Sequence, residues 1–383
     1  MGKRRSNSQR KNHPLRNKGR YVLLVLAALG AGLWWQDTAS KRARLVLQPL
    51  AAEARPASCA PSPAFSPAPA PPPALSGRLG LWVARVDPIT LAPMRAVARD
   101  PDGVYPLASS YKQAVLWALL RAVDAGQVKL SETFDVTHGS QSLGDYPFDG
   151  SDVPTLARRM IHDSDNTATD LLHRRVGLEN VQKVADDLKL CRTRLILPTK
   201  DWWTAQAGLA PNWPGANVFG AATGEKRVLL ARQLDQAAQN VRADVLQVKS
   251  DAYFEDRYDS RSDLGISNVS TPYEFGTLIA HEFLRSGLSP KSQTLQREMM
   301  ATGFGRSKLG APITYFGGKG GNGWRTLTMT GYFETPRGEH VVYVFMQHGA
   351  SEDYTLPNTK AAFEWINAAV DEVLSPDDVA ATP

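Results

Sequence analysis

The chain has 383 residues, 43% hydrophobic and 21% charged, enough apolar material for one large folded domain. Its formal charge of +6 is concentrated at the front, because residues 1–20 hold eight Lys and Arg and no acid. Without that arm the chain is slightly acidic, so the basic charge argues nothing for nucleic acid as a partner of the folded body and none is expected, and neither Cys59 nor Cys191 has metal-ligand spacing around it.

Residues 1–20 read as a basic cytoplasmic arm. Tyr21 to Trp35 is an unbroken apolar or small run followed by Gln36-Asp37. As a helix it spans about 22 Å, short of a ~30 Å hydrocarbon core but extended by interfacial Tyr and Trp. A signal peptide and a signal anchor both fit. No small-x-small site sits directly behind Trp35, and the nearest, Ala52-Glu53-Ala54, is distant, which favours an uncleaved anchor over 21–35. The positive charge before the run places the amino terminus in the cytoplasm and the body outside. The expectation is a single-pass protein of the inner membrane facing the periplasm, with secretion into the periplasm as the alternative. Cys59 lacks the preceding apolar residues of a lipid-modified cysteine. In an exported protein Cys59 and Cys191 either pair or remain thiols, and the sequence leaves both open.

Residues 36–76 read as a linker. Arg55 to Leu75 is rich in Pro, Ala and Ser, favours polyproline II and predicts a semi-rigid spacer. The folded domain is expected over 77–376, with a tail at 377–383. Leu79 to Val86 and Leu91 to Val97 predict a strand pair turning at Asp87-Pro88. Val115, Leu116, Leu119, Leu120 and Val123 then recur at helical spacing, with Gly126 as a stop. Ser109 and Lys112 stand at the start of that helix, one turn apart and roughly 5–6 Å between Cβ atoms. A serine hydroxyl attacks poorly until a base removes its proton, and a lysine in an apolar site can lose enough charge to be that base. The two-residue pattern is weak alone, since Ser8 and Lys11 repeat it in the arm.

Further along, Pro154 opens a helix through Ile161, and Asn166 to Val176 and Leu178 to Leu190 predict two more. Ser164-Asp165-Asn166 lies at a junction, where such residues also serve as caps. Val228 to Val248 reads as one helix, Thr271-Pro272 caps another through Leu284, and Gln293 to Ala301 makes a further one. Ile313 to Phe316, Trp324 to Phe333 and Glu339 to Gln347 read as strands, and Pro357 to Leu374 as a closing helix. Phe316 to Gly323 contains Gly317-Gly318-Lys319-Gly320-Gly321-Asn322 and reads as a glycine-rich loop. No Ser or Thr follows its lysine and no helix follows the loop, so it is not a P-loop. Strands first, helices in the middle and strands with a helix last predict an α+β or three-layer domain whose sheet is assembled from both chain ends.

Taken in order, Ser109-x-x-Lys112, Ser164-Asp165-Asn166 and Lys319-Gly320-Gly321 resemble the motifs of class A β-lactamases and the wider penicillin-recognising serine hydrolases. The resemblance covers roughly Gly77 to Leu374. It implies an antiparallel sheet flanked by helices, with an all-helical subdomain, in a monomer that needs no metal or organic cofactor. It also implies that Ser109 is acylated, that Lys112 is its proton partner and that Ser164 passes a proton to the leaving nitrogen. Asn166 would hold the substrate amide, Lys319 would face a substrate carboxylate, and the backbone N–H groups of Ser109 and Asn322 would form the oxyanion hole. The substrate so implied is a small molecule or a cell-wall peptide, cleaved at an amide, β-lactam or ester. A D,D-peptidase, an esterase or a non-turning-over binder of cell-wall peptide are the alternatives. Two departures bear on this. The third motif lacks a hydroxyl at Gly320, and no glutamate occurs between Glu179 and Glu225, where class A enzymes keep the residue that activates water for deacylation. Asp201, in Thr199-Lys200-Asp201-Trp202-Trp203, stands in the corresponding region as the candidate base, with a surface aspartate as the other reading. Residues 200–265 read as an inserted lobe over or beside the site.

Overall fold

The structure, a computed structural model, describes residues 59–353 and 356–375. The expected arm 1–20, the apolar run Tyr21–Trp35 and the tail 377–383 lie outside the described residues. Among the described residues no helix is long and apolar enough to cross a membrane.

In chain order come β1 (Ser66–Pro67), β2 (Arg78–Val86), β3 (Pro93–Arg99) and β4 (Tyr105–Pro106), then a 3-10 turn over Ala108–Tyr111 that runs into α1 (Lys112–Asp124). β5 (Thr133–Phe134) and β6 (Ser151–Asp152) precede α2 (Val153–His162), α3 (Asn166–Val176), α4 (Leu178–Asp187) and α5 (Thr199–Gln206). Four helices follow, α6 (Ala216–Ala221), α7 (Gly224–Gln239), α8 (Ala243–Asp256) and α9 (Ser260–Ile266), then β7 (Val269–Ser270), α10 (Pro272–Leu284) and α11 (Pro290–Met300). The chain closes on β8 (Tyr315–Gly323), β9 (Thr326–Glu334), β10 (His340–His348) and α12 (Leu356–Leu374).

The main sheet has the order β1-β3-β2-β10-β9-β8, antiparallel except for the parallel β1–β3 pair. It is therefore built from both chain ends, as the element order predicts. Strand periodicity sends successive side chains to opposite faces, and both faces are covered. Trp82, Ala84, Val342 and Val344 enter the core shared with the buried helices, α1 among them. Leu81, Val83, Val341 and Phe345 pack against Phe363, Trp365, Ile366 and Val370 of α12. Several helices begin on side-chain caps. Asp152, Asp165 and Thr271 accept from the backbone N–H of Thr155, Ala168 and Glu274.

Several expectations are corrected. The predicted helix 228–248 is two helices, because the chain leaves helical geometry after the α7 C-cap Asn240 and restarts after Arg242 with neither Pro nor Gly to signal the break. Thr199-Lys200-Asp201, for which the sequence predicts no element, opens α5. The glycine-rich stretch is β8 itself, paired along its length with β9 from Tyr315↔Glu334 to Gly323↔Thr326.

The described part of the linker is docked, not a spacer. Ser66–Pro67 pairs with Val97–Ala98, Phe65 packs on Trp82 and Tyr273, and the Trp365 indole donates to the Pro69 carbonyl at 2.7 Å. Cys59 and Cys191 form a disulfide across 132 residues of chain. Beside it the Arg192 guanidinium donates to Asp102 at 2.7 Å and to the Ala60 carbonyl at 2.9 Å. Closing so long a loop removes much unfolded-state entropy. Replacing both cysteines by serine is expected to cost ~2–4 kcal/mol in urea unfolding. Unchanged unfolding would show that the polar contacts hold the segment without the bond.

Candidate active site

Three elements converge on one point: the 3-10 turn carrying Ser109, the α2–α3 junction carrying Ser164 and Asn166, and the edge strand β8 carrying Lys319. Lys112, the first residue of α1, is fully buried and reaches across to the junction. Its ammonium donates to the Ser164 carbonyl at 2.5 Å, to Asn166 Oδ1 at 2.7 Å and to Ser164 Oγ at 3.3 Å. Lys319, also buried, donates to the same Ser164 hydroxyl at 2.9 Å and to the Gly320 carbonyl at 2.7 Å. Two lysines thus share one serine oxygen. Such crowding is unfavourable for two ammonium groups. Burial, and then the positive charge of Lys319, hold the Lys112 amine well below its ordinary range against the opposing Asp170 and Asp165 carboxylates. Burial pushes Lys319 down to about 7.

The junction explains why three adjacent polar residues have different duties. Asp165 is the cap of α3 and is held by Arg159 at 2.7 Å, so its carboxylate is used structurally. Ser164 takes a positive φ of 57°, rare for a residue with a side chain, and its neighbour Asn166 donates from Nδ2 to the Leu143 carbonyl at 2.9 Å. Ala108, immediately before Ser109, also has a positive φ, 43°. Two non-glycine residues in this region cost on the order of 1–3 kcal/mol each, and both flank the site. A cleft of about 530 Å³, lined by Leu143, Gly144, Asp145, Arg159, Ser164 and Asn166, opens beside the junction.

Ser109 is half-buried, and among the described residues no hydrogen bond engages its hydroxyl, neither to Lys112 nor to any other group. β8 passes directly over its backbone. A Cβ at Gly321 would come within 2.5 Å of the Ser109 nitrogen, which is why this position tolerates only glycine. Gly320 and the exposed Asn322 flank it on the strand. The constellation can therefore present a serine hydroxyl, two low-pKa amines and a strand backbone to one carbonyl compound.

Asp201 is not brought into this group, and it is not on the surface. It is fully buried on α5 with Arg174 of α3 at 3.5 Å, and Arg174 in turn is bound at 2.7 Å to Asp235 of α7. Burial first, then the Asp235 carboxylate, push Asp201 well above the usual carboxylate range. The carboxylate nearer the lysines is Asp170, which the sequence reading passed over. It accepts from the Thr199 N–H at 2.6 Å, the Thr199 hydroxyl at 2.9 Å and the Lys200 N–H at 2.9 Å, fastening α5 to α3. Also missed were Ser110, Gln113, Thr328 and Thr330, all buried around the Ser109 turn. The alternation Thr326-Leu327-Thr328-Met329-Thr330 is their one sequence signal, and it reads as an ordinary solvent-facing strand edge.

The sequence model described as the β-lactamase enzyme family matches residues 77–375. Among solved structures, a β-lactamase from Xanthomonas campestris pv. campestris superposes with a TM-score of 0.53 at 18% identity, over 78% of this chain and 92% of that one. The class A β-lactamase of the last common ancestor of Gram-negative bacteria superposes with a TM-score of 0.53 at 19% identity, over 77% and 94%. Identities this low establish the fold alone. A comparison with curated proteins finds no match.

Proposed function

The chain belongs to the β-lactamase enzyme family and is a serine hydrolase of that type, and from this we propose that Ser109 is the residue acylated by an amide, β-lactam or ester substrate. The observation that carries the proposal is the shared Ser164 hydroxyl, 3.3 Å from the Lys112 amine and 2.9 Å from the Lys319 amine. A group so held can receive a proton from one lysine side and deliver it to a leaving nitrogen. In this reading neutral Lys112 takes the Ser109 proton as the hydroxyl attacks the carbonyl carbon. The N–H groups of Ser109 and Asn322 receive the developing oxyanion, Asn166 aligns the substrate amide, and Lys319 faces an anionic group beside Gly320 and Gly321. Incubating the full chain with a fluorescent penicillin and following intact mass tests it. A stable adduct on one serine is expected, and no adduct with any β-lactam or activated ester would overturn it.

We further propose that residues 21–35 anchor the protein with its hydrolase domain outside the cytoplasm. The Cys59–Cys191 disulfide supports this, since such bonds persist in oxidising compartments. Full-length protein should then sediment with membranes, and a chain beginning at Ala52 should not. Recovery of the full chain in the soluble fraction with a new amino terminus would favour secretion instead.

A further inference from the structure

We infer that Ser110, Gln113, Thr328 and Thr330 are positioning residues that clamp the Ser109 turn to β8 and set the separation of the Ser109 and Asn322 N–H groups. The inference rests on the reading in which those two groups receive the oxyanion. Ser110 and Thr330 meet Lys319 only at its backbone carbonyl, and none of the four bonds the lysine amines or the Ser164 hydroxyl.

All four side chains are buried to 1% exposure or less, on the face of β9 and α1 where the surroundings are otherwise apolar. Buried hydroxyls and amides cost stability unless they find partners, and here the three hydroxyls and the Gln113 amide N–H groups do. Thr328 Oγ1 lies 2.7 Å from Ser110 Oγ, 3.0 Å from the Leu107 carbonyl and 3.3 Å from the Gly321 carbonyl. It therefore bridges the residues on both sides of Ala108-Ser109 to the strand that passes over them. Ser110 Oγ also sits 3.0 Å from the Lys319 carbonyl. Two residues along the same face of β9, Thr330 donates to the Lys319 carbonyl at 2.8 Å. The Gln113 amide donates to the Ser110 carbonyl at 3.0 Å and to Thr330 Oγ1 at 2.9 Å.

One proton assignment uses every donor: Ser110 O–H to Thr328, Thr328 O–H to Leu107, Thr330 O–H to Lys319, and both Gln113 N–H to Ser110 and Thr330, with Gln113 Oε1 left without a partner. The register explains the spacing. Thr328 stands opposite Gly321 and Thr330 opposite Lys319, so the two hydroxyls reach between β9's neighbour strand and the turn at a two-residue repeat. The contact they maintain is close, since a Cβ at Gly321 would lie 2.5 Å from the Ser109 nitrogen and 2.8 Å from the Ser110 nitrogen. An oxyanion hole made of one N–H from a turn and one from a strand has no covalent link between its halves. Here the hydroxyl clamp supplies the link.

The test compares Thr328→Val, which keeps the shape and removes the hydroxyl, with Thr328→Ser, which restores it, and with Ser110→Ala as a second break should the valine variant not fold. Two readouts are taken on the full chain: the limiting rate and half-saturating concentration of acylation by a fluorescent penicillin across pH, and backbone hydrogen exchange in peptides covering 107–113 and 319–323. Thr328→Val is expected to lower the limiting rate roughly 10- to 100-fold, as misplacements near 1 Å do, with the half-saturating concentration and the pH profile unmoved. The two peptides should exchange at least about tenfold faster, and Thr328→Ser should recover both readouts. A limiting rate within about twofold of wild type in both Thr328→Val and Ser110→Ala would overturn the inference, as would loosened exchange everywhere but in those peptides. If Ser109→Ala is labelled as fast as wild type, the acylation reading has failed instead, and the exchange readout alone then decides for or against the clamp.

Discussion

Replacing Ser109 with alanine is expected to abolish covalent labelling by β-lactams and serine-directed probes, and Lys112→Ala to slow it by about 10³-fold, equivalent to ~4 kcal/mol of barrier. The serine loss is total because no second hydroxyl can take its place: Ser110 is buried against Thr328 and the Lys319 carbonyl, and the Ser164 hydroxyl is engaged by two amines. The lysine effect follows from its environment. A base must be unprotonated to act, and Lys112 is held well below its ordinary 10.5 by burial and by the charge of Lys319. Its neutral form is therefore populated far below pH 10.5. The acylation rate should climb with pH through the lowered Lys112 value, level off, and be lost in acid as the amine gains a proton. Lys319, at about 7, gains its charge as pH falls through neutrality, so anionic substrates should bind better on the acid side while the chemical step weakens. Rates of labelled protein against pH for wild type and Lys112→Ala check this. Labelling that survives in Ser109→Ala would move the nucleophile elsewhere, with Ser164 the next to replace.

The second large effect concerns turnover. The acyl-enzyme formed from a penicillin is expected to accumulate, with its hydrolysis slower than its formation by roughly 10²–10⁴-fold, the usual worth of a positioned general base. Neither Asp201 nor Asp170 is poised for that task. Asp201 faces Arg174 at 3.5 Å, and burial, then the Asp235 carboxylate, push it well above the usual carboxylate range, which disfavours the ionised form a base needs. Asp170 spends its oxygens on Thr199 and Lys200. Asp201→Asn should therefore leave the lifetime of the acyl-enzyme within about twofold, measured by mass after rapid removal of free drug. Fast multiple turnover in wild type that disappears in Asp201→Asn would restore Asp201 as the water-activating group.

Much of this was legible in one dimension. Alternation in Leu79–Val86 and Glu339–Gln347 and the helical repeat after Lys112 depend on short-range geometry, so strands, helices and their order could be read directly. The three motifs were legible because each packs its chemistry into three or four consecutive residues. Other features are properties of distance. The break after Asn240 carries no Pro or Gly, and the glycines of β8 read as a loop because only their close neighbours in the fold, the Ser109 backbone at Gly321 and the Phe283 ring at Gly317, explain them as strand. Whether Cys59 meets Cys191 depends on where a proline-rich segment docks, 132 residues away in sequence.

Residue identity and local periodicity by themselves determined the α+β order of elements and the presence of a serine, two lysines and an amide able to act together. Tertiary structure alone decided that Ser164 is shared by both amines, that Asp201 turns to Arg174 instead of Ser109, and that Thr328 and Thr330 face inward. Charge loss on Lys112, burial of Asp201 and satisfaction of a hydroxyl all depend on which atoms lie within a few ångströms, and folding sets those neighbours from segments as far as 221 residues apart.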